Sequence, residues 1–220
     1  MNLESNIQFL SSLSQYNEKV WMDANKKWYE KEKQTFLGFV QTVINQLAEE
    51  EPALLGLNAK DCMFRINRDI RFSKDKSPYK TNFGAHISPE GKKSHKAGFY
   101  IHISPSNNSF IGGGIWMPEP KDLKKIRQEI DYNWEEFSNI ISSPDFIDLF
   151  GDLSQEEKLS RPPKEYNRDN PAIEYLKLKS FTAARNITDK EIAHSDMAAL
   201  SIQIYKTIQP LLRFLDRALD

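Results

Sequence analysis

Cysteine is almost missing from these 220 residues. Cys62 stands alone, which excludes an intramolecular disulfide and with it the small disulfide-stapled folds of secreted proteins. Net charge is nearly missing too: 30 basic against 31 acidic residues give -1, so the chain as a whole has no polyelectrolyte attraction to nucleic acid or membrane. Any anion binding has to come from a local patch. No run of about eighteen apolar residues occurs, so no bilayer-spanning helix is expected and membrane is not among the expected partners. The opening MNLESNIQFL lacks the basic and long apolar regions of a signal peptide, and a cytoplasmic protein is the expectation. Phosphate-loop signatures are absent, since IGGGIW at 111–116 matches neither G-x-x-x-x-G-K-[ST] nor G-x-G-x-x-G. His86, His95, His102 and His194 have no close metal-ligand spacing, so no metal site is expected and no cofactor is indicated.

What is present is a change of periodicity along the chain. Ile7, Leu10 and Leu13, then Phe36, Phe39, Val40, Val43, Ile44 and Leu47, recur at three and four, which predicts helices up to the EEEP stop at 49–52. Residues 62–72 alternate: Phe64, Ile66, Ile70 and Phe72 fall on one face, Arg65, Asn67, Asp69 and Arg71 on the other. Period-two stretches at 82–88, 97–104 and 110–117 follow, separated by turn-rich segments too short for parallel crossovers. Helical spacing returns over about 121–141 and 190–218, with shorter helices expected near 144–150 and 154–159, and Pro210 is expected to kink the last helix or start a new turn. AIEYLKLKSF reads as helix and then strand. The prediction is a single α+β domain over 1–220: helical 1–60, an antiparallel sheet of four or more strands in 61–118, and helical 119–220.

Charge concentrates in one place. FRINRDIRFSKDKSPYK, residues 64–80, sets six basic side chains against two acidic ones, a local +4 that leaves -5 for the rest of the chain. Arg65, Arg68, Arg71, Lys76 and Lys80 are therefore the candidate binding residues for an anionic, phosphate-bearing small molecule or a nucleic acid. Arg68 is anomalous, because strict alternation turns it toward the apolar face, where a guanidinium needs a partner. Either an internal carboxylate meets it, a bulge turns it outward, or it lines a site.

The string FRINRDIRFSKDKSPYKTNFGAHIS, followed by GFYIHISP, GGGIWMPEP with LKKIRQEI, and NPAIEYLKLKSF, resembles the bacterial and fungal family known as domain of unknown function 2461. The resemblance covers nearly the whole chain. Tyr16, Asn17 and Met22 depart from its early pattern, and a glycine usual near Lys164 and Glu165 is missing. It implies the domain extent and the importance of the arginine-rich segment, and implies no reaction.

Other constellations have two readings each. By alternation His86 falls on one face with Asn82 and Gly84, and His102 with Gly98 and Tyr100. If these faces coincide with that of Asp69, then Asp69, His86, Tyr100 and His102 form a candidate acid-base set for a hydrolase or transferase. A solvated or covered polar face, in a protein-interaction scaffold, is the plainer reading. Three successive glycines, Gly112 to Gly114, mark a close approach by a backbone, a large side chain or a ligand. Trp21 and Trp28, one heptad apart, and Cys62 read as packing.

Overall fold

The computed structural model describes residues 3–220. The first helices form where the apolar spacing places them: α1 (Glu4–Gln15) buries Phe9, Leu10 and Leu13, α2 (Lys19–Ala24) is short, and α3 (Lys26–Leu47) buries Phe36, Phe39, Val40, Val43 and Ile44. After the one-turn helix α4 (Ala59–Cys62) come the strands β1 (Phe83–Ile87), β2 (Gly98–Ile103) and β3 (Ser109–Ile115). Helices α5 (Pro120–Tyr132), α6 (Trp134–Ile141), α7 (Pro144–Phe150) and α8 (Ile173–Leu176) precede β4 (Phe181–Ile187), and α9 (Asp189–His194) and α10 (Met197–Arg217) end the chain. The four strands make one antiparallel sheet in the order β1-β2-β3-β4, with helices at both ends of the sequence. The α+β expectation is met. No described helix is long and apolar enough to cross a membrane.

Local assignments differ from the periodicity in four places. The expected strand over 62–72 makes only isolated bridges, Met63 to Ala85 and Asn67 to Tyr79, because its second half has nothing to cover it: Phe72 is 96% exposed. The sheet's fourth strand is β4, which lies outside the expected sheet region 61–118: AIEYLKLKSF is helix and then strand as read, but the strand starts only at its last residue and runs on through TAARNI, which carries too few large apolar side chains for alternation to mark it. Residues 154–159 are not a helix; Ser154 N donates to Thr182 O at 2.8 Å and Leu159 N to Lys177 O at 2.8 Å, so this stretch spends its backbone donors on a neighbouring segment. The two long helical stretches are each broken, at Asn133 and at Ser195 and Asp196, while α10 continues through Pro210.

Internal contacts group the chain into two compact units, Met1–Lys93 with Tyr100–Ile111 and Asn186–Gln203, and Ser94–Phe99 with Gly112–Arg185 and Ile204–Asp220. In the first, Phe83 of β1 is the centre of a ring cluster, with centroids 5.5 Å from Phe36, 6.2 Å from Phe9 and 6.4 Å from Tyr29. Trp21 and Trp28 both meet Phe9, as their heptad spacing predicts. Cys62 is fully buried here, and burial pushes its thiol up to about 11. A thiol so seldom ionised is inert packing.

In the second unit, Phe99 meets Tyr205 edge-on at 5.4 Å and Phe137 lies 5.3 Å from Phe214. The glycine run has its explanation in β4. A Cβ at Gly112 would stand 2.6 Å from Ala184 Cα, and closer still to the Ala183 carbonyl oxygen; at Gly114 it would stand 2.8 Å from Thr182 Cα, and closer still to Phe181 O. A backbone, not an aromatic ring, is what comes close.

Candidate functional site

Residues 64–80 fold back on themselves along the edge of β1. Phe64 N donates to Gly84 O at 2.9 Å, and two further backbone bonds close the segment, Arg68 N to Pro78 O at 2.9 Å and Lys80 N to Ile66 O at 2.7 Å. Asn17 clamps the returning arm from outside: its side-chain amide donates to Tyr79 O at 2.9 Å and its carbonyl accepts from Tyr79 N at 3.1 Å. This reciprocal pair fixes the residue next to Lys80. In the sequence, Asn17 stands out only as a departure from the family pattern.

The candidate binding residues separate into two groups. Arg68, half-buried, pairs with Asp75 and donates to Ser73 Oγ at 3.3 Å, so its partner is internal. The Asp75 carboxyl is held well below the usual carboxylate range, first by the Ser77 hydroxyl and amide and then by Arg68. Arg71 grips Asp69 with two donors, Nε at 2.9 Å and a terminal nitrogen at 2.6 Å, and this lowers the Asp69 carboxyl in turn. Lys76 Nζ donates to Ile70 O at 3.0 Å. Among the described residues, Arg65 and Lys80 have no carboxylate within ion-pairing distance. Lys74 likewise has none, and Lys76 meets only the Ile70 carbonyl, so of the six cations only Arg68 and Arg71 are paired with a carboxylate.

Lys80 stands beside the polar face of the sheet. Its ammonium lies 5.5 Å from the centroid of the Phe64 ring, which itself meets Tyr100 at 6.2 Å. Burial, and then the Arg65 charge, hold the Lys80 ammonium below its usual range. Tyr100 and His102 project from the same face of β2, two residues apart, with Tyr100 Oη 3.4 Å and Asn82 Nδ2 3.5 Å from His102 Nδ1. Phe110 of β3 stacks on the His102 ring at 4.5 Å, with planes 11° apart. Gly84 makes room for Tyr100: a Cβ there would lie 2.6 Å from the phenol oxygen.

The two histidines and the tyrosine of this face are held in their neutral forms. His102 is lowered to about 4 by burial and by the Lys80 charge, His86 is lowered by burial, and burial raises the Tyr100 phenol. His86 Nε2 is buried and has no hydrogen-bond partner. Asp69, proposed from alternation as the fourth member of an acid-base set, is occupied by Arg71, and among the described residues no hydrogen bond joins it to His86, Tyr100 or His102. The set that assembles contains Asn82, Tyr100, His102, Phe64, Phe110 and Lys80, with Arg65 near enough to act on Lys80. Asn82 and Tyr100 were legible as polar-face residues; Phe64 was assigned to the opposite, apolar face.

Because Lys80 is one of two causes of the low His102 value, Lys80→Ala is expected to raise the His102 pKa from about 4 partway toward the ordinary histidine value of about 6.5, burial accounting for the remainder. An NMR pH titration of the imidazole resonances checks this. An unmoved midpoint means that the ring does not feel the lysine.

An open hollow of about 690 Å³ lies in the other unit, lined by Tyr132, Glu136, Asn139, Ile140, Thr207 and Pro210 among others. It has no cluster of shifted titratable groups comparable to that around His102. Among the described residues, no group of three or more histidine, cysteine, aspartate or glutamate side chains has an arrangement able to hold a metal ion.

A family model described as "Conserved hypothetical protein (DUF2461)" matches residues 5–214. No curated protein and no solved structure matches the chain.

Proposed function

We propose that this chain, which belongs to the DUF2461 family, binds an anionic, phosphate-bearing ligand beside Arg65 and Lys80, with Asn82, Tyr100 and His102 as the neutral hydrogen-bonding groups around it. One observation carries the reading: Lys80 disfavours a charge on His102, Arg65 disfavours the charge on Lys80, and no carboxylate among the described residues pairs with either cation. An anion placed among them relieves that repulsion and gains charge-assisted hydrogen bonds. Arg68 and Arg71 contribute field rather than contact, since each already holds an aspartate. The single, buried, unreactive Cys62 suits a cytosolic setting.

Pyrophosphate is the probe. Calorimetric titration of the full chain is expected to show binding that weakens about 10- to 100-fold in Lys80→Glu or Arg65→Glu, the equivalent of losing one or two hydrogen bonds to a charged group. Affinity is expected to rise as pH falls from about 7 toward the His102 midpoint, because the bound anion favours the protonated imidazole and raises its pKa. Absence of binding by the wild-type chain at pH 6, or equal binding by both variants, overturns the proposal.

A further inference from the structure

Resting on that reading, we infer that the ligand is single-stranded nucleic acid, with the loop that carries Phe72 as a base-stacking finger and Arg65 and Lys80 as phosphate contacts. The segment 64–80 carries two stations of the same make. In one, the Lys80 ammonium lies 5.5 Å from the Phe64 ring; in the other, the Arg71 guanidinium lies 5.9 Å from the Phe72 ring. Proteins hold unpaired strands with rings that stack on the bases along a basic groove; here Phe64 and Phe72 offer the rings and Lys80 a phosphate contact, while Arg71, held by Asp69, adds field alone.

Phe72 is the most exposed of the large apolar side chains among the described residues, at 96%, so the ring buries almost nothing in the fold. Its loop is preorganised. Arg68 pairs with Asp75 across the loop, Asp75 accepts from Ser77 N at 2.9 Å and Ser77 Oγ at 2.6 Å, and Lys76 reaches back to Ile70 O. The internal ion pairs found for Arg68 and Arg71 therefore brace the display of the ring, while the local +4 supplies the attraction. An anionic membrane would also meet basic charge and an exposed ring. The strand is favoured because the second ring, Phe64, is half-buried beside Lys80 and Tyr100, where a base edge has hydrogen-bonding partners and an acyl chain has none.

The test uses the full chain, a fluorescent oligothymidylate of about 8 nucleotides, within the range of such sites, and unlabelled pyrophosphate as competitor and as separate ligand. Phe72→Ala is expected to weaken oligonucleotide binding by ~5- to ~150-fold and leave pyrophosphate binding unchanged, and Phe72→Trp to restore the oligonucleotide affinity. Wild-type affinity should fall steeply with added salt. An oligonucleotide held no more tightly than pyrophosphate, or equally by Phe72→Ala, overturns this inference and leaves the phosphate site standing. Loss of both ligands in the wild type overturns both. Phe72-dependent sedimentation with phosphatidylserine vesicles, without oligonucleotide binding, overturns it in favour of a membrane.

Discussion

Gly114→Ala is expected to lower stability by about 3 kcal/mol or more, a large part of what a domain of ordinary stability has. Two costs add. Gly114 has φ +130°, a conformation that glycine adopts freely and a residue with a Cβ does not, at about 1–2 kcal/mol. The new methyl group also meets backbone, not the end of a flexible side chain: Thr182 Cα lies 2.8 Å from where it would stand, and the Phe181 carbonyl oxygen is closer. Overpacking against atoms that cannot rotate away adds about 1–3 kcal/mol. Urea denaturation measures the loss as a lower midpoint at unchanged slope. A change within about 0.5 kcal/mol, the range of an ordinary surface substitution, means that β4 does not approach β3 as described.

Phe83→Ala is expected to cost about 3–5 kcal/mol, the range for a fully buried phenylalanine, and to weaken pyrophosphate binding as well. The ring is 1% exposed and stacks within 6.4 Å of Phe9, Tyr29 and Phe36, so its removal leaves a cavity among side chains that pack on one another. Phe83 also lies between Asn82, which faces His102, and Gly84, whose missing side chain admits Tyr100. Relaxation of β1 into the cavity therefore disturbs both neighbours of the imidazole. Phe72→Ala supplies the contrast: removal of an exposed ring is expected to leave stability within about 0.5 kcal/mol. Denaturation and calorimetry on the same two variants separate the effects. Full pyrophosphate affinity in folded Phe83→Ala would show that the site does not depend on the ring cluster beneath it.

The helices at both ends were legible in the sequence because a buried helical face repeats at three and four, and burial of that stripe is what holds each helix in place. Period two likewise put His102 beside Tyr100 on β2, and Asn82, the residue before β1, on the same face as Gly84. The same rule failed at 64–72. Alternation there is real in the sequence, but a strand needs a partner over its whole length, and beyond Arg68 the chain turns back on itself instead. It failed again at β4, where small residues allow a close approach to Gly112 and Gly114 and so leave no large apolar pattern to read.

Sequence alone determined the fold class, the family, the concentration of six cations in seventeen residues and the exclusion of a disulfide framework. Tertiary structure decided which of those cations keep a partner. Arg68 and Asp75 are seven residues apart and meet only because the loop closes between Ile66 and Lys80; Lys80 shares the same +4 segment yet comes to lie near enough to the His102 imidazole to lower it. Ion pairing falls off over a few ångströms, while periodicity reports only the face on which a side chain emerges. The partner of a charge is therefore settled by how the chain returns.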